Sequence, residues 1–464
     1  MAEAPEATQN PAFRWRIFSL GMVLIFCSLV AAAYGLTQDR IIFGHGYPYD
    51  GISYMAMAKE VSRGEVISES KPFVYRLGLP YLVGSFFPNN LIDGFWYINL
   101  LFGALTLLLL CIFLSSFTRS TGAIFAVLLL FVMNPLGPLR VTHFEPAWTD
   151  WPALFTVLLI LYVSLRWPGS GLAKISAITV LSFIGVLFRE MVLIAPLSLL
   201  CASVVNLRQA AKMEWAASKH AVLLCAVPVA VALIGIFLTH FWVQPLEEPF
   251  PYLNNLSDRP VGDYSFLRAG LNATIHNLFR PQRFVLAIFI SYGPVISLLL
   301  VQWKTAFLEP LRRRPELAAF LAFDLVLSIV GGGTQDRFLF WAFPVVLPLL
   351  AIAIDQVFKL RPSIAAAALM ASLLVAQILA FRAFAPIPNT ALNAYENVGS
   401  PSFLIFAPYG PNTNWAQTWA ATMGFQSSFL LLSEYILFLA WVYFLCRKGN
   451  LFGIGNKLRT PKPG

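Results

Sequence analysis

Apolar residues fall along this chain in long blocks separated by short polar turns, and most blocks are long enough to cross a bilayer as helices. Twelve spans are predicted, at 15–36, 95–117, 121–137, 151–166, 172–188, 190–206, 221–242, 283–303, 317–333, 338–356, 363–381 and 427–446. The apolar segment 77–87 is too short to span and is read as re-entrant or interfacial. The predicted fold class is an all-α polytopic membrane protein. It has about twelve transmembrane helices, interfacial helices in the first external loop and no large soluble domain. No internal repeat or heptad array is found.

Composition agrees with the pattern. Hydrophobic residues make up 58% and charged residues 12%, with a mean hydropathy of +0.70; an ordinary soluble domain carries about 25% charged residues. A net charge of +9 would suggest nucleic acid in a soluble protein. Here the basic residues are assigned to topology, and no nucleic-acid partner is expected. The five cysteines lie in or at the end of apolar segments, and the five histidines show no metal-ligand spacing, so neither a disulfide framework nor a zinc site is predicted.

With both termini cytoplasmic, every assigned cytoplasmic loop carries at least one basic residue, such as Arg119, Lys174, Arg312 to Arg314 and Lys359. The organisation is then a cytoplasmic tail 1–14, an N-terminal membrane module 15–242 with the first external loops, a C-terminal membrane module 243–446 and a basic cytoplasmic tail 447–464. The external side holds 37–94, 138–150, 243–282 and the long loop 382–426, which is rich in Tyr and Trp.

Polar residues that lipid would reject cluster on that external side. Asp50 opens a predicted interfacial helix running to about Val61, with Tyr54 one turn on. Arg76 precedes the short apolar segment. Glu145 and Asp150 flank the turn before the fourth span. Arg189 and Glu190 interrupt what would otherwise be one apolar stretch, and Gln335, Asp336 and Arg337 follow a triple glycine. Each has a plain structural alternative: Asp50 or Asp150 as a helix cap, Arg76 snorkelling to lipid phosphate, Arg189 and Glu190 as a turn pair. Asp324 and Glu434 stand within spans and are further candidates. Two carboxylates meeting on one face suit acid–base work or a divalent cation, with Asp50 and Asp150 as the ligands if one binds; no cofactor is required by the sequence. The glycine run is not a Walker loop, because no Gly-Lys-Ser/Thr follows it.

Together these residues resemble the GT-C superfamily of integral-membrane glycosyltransferases. The resemblance rests on Asp50 in Asp-Gly-Ile-Ser-Tyr, on Glu145 or Asp150 in the next external loop, and on Gln335-Asp336-Arg337 followed by Pro344 and Pro348. The runs Pro72-Phe-Val-Tyr-Arg76 to Pro80 and Phe188-Arg189-Glu190 look like motifs of bacterial members. It covers 15–356. The doubled acid motif of some relatives is the single Asp50 here, and no large C-terminal soluble domain is present.

The resemblance implies a cell-envelope glycan enzyme of a bacterial inner membrane. It would take a sugar from a polyprenyl-phosphate carrier on the non-cytoplasmic face. Asp50, with Glu145 or Asp150, would be catalytic. Arg337, Arg76 and Arg189 would bind the donor phosphate, with Tyr54, Glu190, Gln335 and Asp336 in support. The acceptor, a glycan, lipid or protein, stays open. The alternatives are a polysaccharide polymerase or ligase using lipid-linked glycans, and a twelve-helix transporter, although no matching six-span halves are found.

Overall fold

The computed structural model describes residues 11–40, 46–47, 50–70, 73–167, 171–209, 215–246, 274–275, 281–330, 335–360, 363–381, 425–449 and 451. The triple glycine, the tail beyond 451, most of the loop 243–282 and the Tyr- and Trp-rich segment 382–424 lie outside these residues.

Helix dominates. In chain order the first ten helices are α1 (Pro11–Thr37), α2 (Asp50–Arg63), α3 (Gly78–Phe86), α4 (Leu91–Leu114), α5 (Thr121–Met133), α6 (Pro138–Phe144), α7 (Asp150–Arg166), α8 (Gly171–Phe188), α9 (Ile194–Gln209) and α10 (Trp215–Trp242). They are followed by α11 (Pro281–Tyr292), α12 (Ser297–Val301), α13 (Glu309–Arg313), α14 (Pro315–Val330), α15 (Gln335–Phe340), α16 (Phe343–Phe358), α17 (Ile364–Ala380) and α18 (Phe425–Lys448).

Among the described residues, six helical segments are long and apolar enough to cross a membrane: Trp15–Thr37, Leu91–Leu114, Thr121–Phe144, Gly171–Phe188, Glu190–Leu207 and Cys225–Trp242. Large apolar side chains on α1 (Phe18, Met22, Ile25, Leu29) and α10 (Leu233, Ile234, Phe237, Phe241) point away from the protein, as lipid-facing surfaces do. The chain is a multi-pass helical membrane protein. The span expected at 427–446 lies in α18, which has 24 residues, and the remaining predicted spans form shorter helices; α16, with 16 residues, is about 24 Å long, short of the ~30 Å hydrocarbon core.

Two expected spans are not continuous. The span expected at 283–303 bends by 107° between Phe284–Tyr292 and Pro294–Val301. Gly293 takes φ 75°, open to glycine, and Pro294 cannot donate to the preceding turn. Gln377 of α17 closes the break: its Oε1 accepts from the Val295 N–H at 3.1 Å, and its Nε2 donates to the Tyr292 carbonyl at 3.2 Å. Backbone groups freed by a break in lipid need such partners. The span expected at 338–356 is divided at Trp341 and Ala342, and Pro344 stands in the first turn of α16. Likewise α5 stops at Asn134, whose side chain accepts from the Leu136 N–H at 2.8 Å and donates to the Ser291 carbonyl at 2.7 Å.

The first external loop is a built layer. Helix α2 packs on α3, where a Cβ on Gly84 would stand 2.7 Å from the Val61 Cβ. Glu60 accepts from the Ser68 N–H and Oγ, each at 2.8 Å. Strand β1 (Ser68–Ser70) pairs in parallel with β2 (Gln244–Leu246), with Ser68 opposite Gln244. Among the described residues this short ladder is the departure from an all-α chain, and it ties the loop after α1 to the segment after α10. Below the layer, α4 packs on α7, α7 on α8, and α8 and α9 on α10.

Candidate active site

Four distant stretches converge at the ends of buried helices: the start of α2, residues 145–150 ahead of α7, the turn between α8 and α9, and α15. Arg337 on α15 joins them. Its Nη1 donates to Asp50 Oδ2 at 3.1 Å and its Nε to Asp150 Oδ2 at 2.8 Å. Its guanidinium lies 4.3 Å from the Trp148 ring centre, a cation–π distance. The remaining Nη2 is buried and hydrogen-bonds to no described residue.

Asp150 is held from the other side as well. Arg189 Nη1 pairs with Asp150 Oδ1, with both side chains nearly inaccessible, and the Arg189 guanidinium sits 5.7 Å from the Trp341 ring centre. The cap reading of Asp150 does not hold. Thr149 occupies the N-cap position of α7 and makes no side-chain cap bond, while the Asp150 carboxylate is turned onto two guanidiniums. Asp50 is the first residue of α2, and its carboxylate is likewise on Arg337.

Beside this group lies a second one. Arg76 Nε and Nη2 donate to Glu190 Oε2 and Oε1 at 3.0 and 2.6 Å, a two-point fork, and Nη1 donates to Tyr54 Oη at 2.9 Å. Arg76 is buried and does not snorkel outward. Tyr54 stands one turn from Asp50 on the inner face of α2, so the two groups share a wall. The fork of Arg76 is therefore occupied by protein, whereas Arg337 Nη2 is unmatched among the described residues.

Glu145 is fully buried, and neither carboxylate oxygen has a hydrogen bond of ordinary geometry among the described residues. Burial pushes its carboxyl up to about 8; the Trp148 side chain and Arg337 pull the other way, and Asp50 adds to the rise. Glu145 is thus protonated at neutral pH. Three arginines face the carboxylates of Asp50, Asp150 and Glu190. Gln335 is buried too, with its Nε2 unmatched among the described residues; the side chain of Asp336 lies outside them.

Pattern reasoning passed over Asn99 and the tryptophans. Asn99 Nδ2 donates to the carbonyls of Pro146 and Trp148 at 2.7 and 2.8 Å, pinning the loop between Glu145 and Asp150. The signal was present, because a lone amide in an apolar span must find partners. Trp148, Trp151 and Trp341 line, with Asp150 and Arg337, a cavity of about 10 Å³, room for one water.

The two in-span acids stand apart from this assembly. Asp324 on α14 is fully buried with neither oxygen hydrogen-bonded among the described residues, and Glu434 is half-buried on α18. Among the described residues, no three His, Cys, Asp or Glu side chains group closely enough to hold a metal ion. Arg337 already supplies a cation shared by Asp50 and Asp150. Comparison with protein-family models, curated proteins and solved structures gave no match.

Proposed function

We propose that this chain is a membrane glycosyltransferase that moves a sugar from a polyprenyl-phosphate carrier to a glycan, lipid or protein acceptor on the non-cytoplasmic face, with inversion. The observation that carries the reading is the Arg337 guanidinium shared by Asp50 and Asp150, with its buried Nη2 hydrogen-bonded to no described residue. An arginine fork is shaped for two oxygens of a phosphate. A donor phosphate competes with Asp50 for Arg337, and the carboxylate it displaces becomes free to act.

In the proposed step Asp50 takes the proton of the acceptor hydroxyl as that oxygen attacks the anomeric carbon. The new glycosidic C–O bond forms as the bond from the anomeric carbon to the phosphate oxygen breaks. The departing polyprenyl phosphate keeps the electron pair, and its charge is met by Arg337. Asp150, fixed by Arg189, aims Arg337. Protonated Glu145 adds no negative charge beside the incoming phosphate. The reading further takes twelve crossings, both termini in the cytoplasm of a bacterial inner membrane and the site facing outward, as the basic loops suggest.

The test is direct. Purified protein in liposomes, supplied with polyprenyl-phosphate sugars and a panel of glycan and lipid acceptors, is expected to release polyprenyl phosphate with one equivalent of glycosylated product. Uptake of a free solute without bond cleavage would point to a transporter instead. Elongation of a lipid-linked glycan by whole repeat units would point to a polymerase.

A further inference from the structure

The outer flank of α2 carries a groove that the chemistry above does not use. About 560 Å³ in volume, it runs between α2 and the turn joining α3 to α4, and Lys59, Arg63, Ser62, Asn89 and Asn90 supply its polar lining. That volume is in the range of small-molecule sites. Asp50 and Tyr54 face inward from α2, whereas Met55, Lys59, Ser62 and Arg63 recur at helical spacing on the opposite flank.

The charge balance of the groove is unsettled. Lys59 is exposed and has no ion-pair partner among the described residues. Among the described residues Arg63 pairs with Glu65, at 4.0 Å with both side chains exposed, which contributes little. Asp93, the acid on the neighbouring first turn of α4, is already taken by Arg40 at 2.5 Å and by Asn90 at 2.6 Å. The groove is therefore cationic.

Its surroundings identify the kind of anion. Met55, Leu91 and Ile92 give the groove an apolar edge. Phe86 at the end of α3 is 71% exposed, and Tyr97 on α4 is 52% exposed, a placement typical of rings at headgroup depth. Below Tyr97, Leu101, Leu108 and Ile112 continue along one face of α4, all outward-pointing. The groove thus sits at the head of an apolar stripe that descends into the bilayer.

We propose that this groove binds the phosphate of an anionic phospholipid, with the acyl chains lying on the α4 stripe. Lys59 and Arg63 meet the phosphate charge, and the amide of Asn89 donates to its oxygens. The site is separate from the Arg337 group and does not depend on the transferase reading.

The experiment uses the full-length protein, delipidated in detergent. It is titrated with short-chain phosphatidylglycerol, the matching phosphatidylcholine and inorganic phosphate, with binding read by thermophoresis. Phosphatidylglycerol is expected to bind at least tenfold more tightly than either of the others. The Lys59→Gln/Arg63→Gln pair is expected to weaken it roughly 25-fold, from the usual contribution of each surface cation. Both positions are exposed, so the fold should survive. If the pair fails to fold, Lys59→Gln alone is expected to cost roughly fivefold. Equal affinity for the two lipids, binding unchanged in the variants, or inorganic phosphate as effective as the lipid would each overturn the proposal.

Discussion

Arg337 donates from Nη1 to Asp50 Oδ2 at 3.1 Å, a contact made across 287 positions of the chain. The pair is half-buried, with the Arg337 and Asp50 side chains 13% and 20% accessible. An anion entering beside Arg337 therefore competes with Asp50 for one guanidinium, and the two residues must respond differently to substitution.

On the transferase reading, Asp50→Asn keeps the size of the side chain and removes the base. Transfer is expected to fall roughly 100- to 10,000-fold, with a thermal midpoint close to wild type. Arg337→Lys keeps a charge but loses the fork, so donor KM should rise before kcat falls. Full activity of purified Asp50→Asn on a polyprenyl-phosphate sugar would remove that residue from the mechanism.

Asp150 should behave as a structural acid. Asp150→Asn leaves Arg189 buried without its counter-ion, a loss typically of about 3–5 kcal/mol. Destabilisation well beyond that of Asp50→Asn is expected in chemical unfolding. A second change, Arg189→Met, should recover part of it by removing the stranded charge. Equal stability of the Asp50 and Asp150 variants would contradict this division of labour.

Glu145 predicts a pH dependence with a definite sign. Its carboxyl rises from 4.5 to about 8 on folding, because burial disfavours the anion. The folded state thus binds the extra proton between those values, and the contribution of Glu145 to stability declines as pH climbs from 4.5 to 8 and levels off above. Glu145→Gln, which cannot ionise, should melt close to wild type at about pH 4 and several degrees higher at about pH 9, where the wild type carries a buried anion. Parallel melting curves of the two proteins across that range would refute the assignment.

Sidedness can be read with single cysteines. Glu65, exposed just after α2, should react with an impermeant thiol reagent in intact cells. Arg313, whose side chain is 75% accessible at the basic end of α13, should react only after the cells are opened. The background must lack the native cysteines, three of which are buried. The reverse pattern would move every candidate acid to the cytoplasmic side.

Much of this protein was legible in one dimension. The helix beginning at Asp50 and the interruption at Arg189 and Glu190 are local matters of apolar run length and turn chemistry, and both appear at their expected places, as do six of the twelve expected spans among the described residues. The charged residues that the fold brings together were legible too, since a charge at the end of an apolar block stands out against its neighbours. The break at Gly293 was missed, although Gly293-Pro294 marks it. Its stability depends on Gln377, more than 80 residues away, and nothing near the break announces that partner.

By itself the sequence determined a multi-pass helical membrane protein with acids and arginines gathered at helix ends, because the low tolerance of lipid for charge acts on each segment separately. Only the tertiary structure decided which charge meets which. It gave Arg76 to Glu190 and Tyr54, bound Asp150 between Arg189 and Arg337, and left both oxygens of Glu145 without a hydrogen bond of ordinary geometry among the described residues. It also joined the first external loop to the segment after α10 through β1 and β2. The physical reason lies in the helices themselves. Segments apolar on nearly every side carry little record of which face packs inward, so the partners of a buried charge are set by helix packing across hundreds of residues.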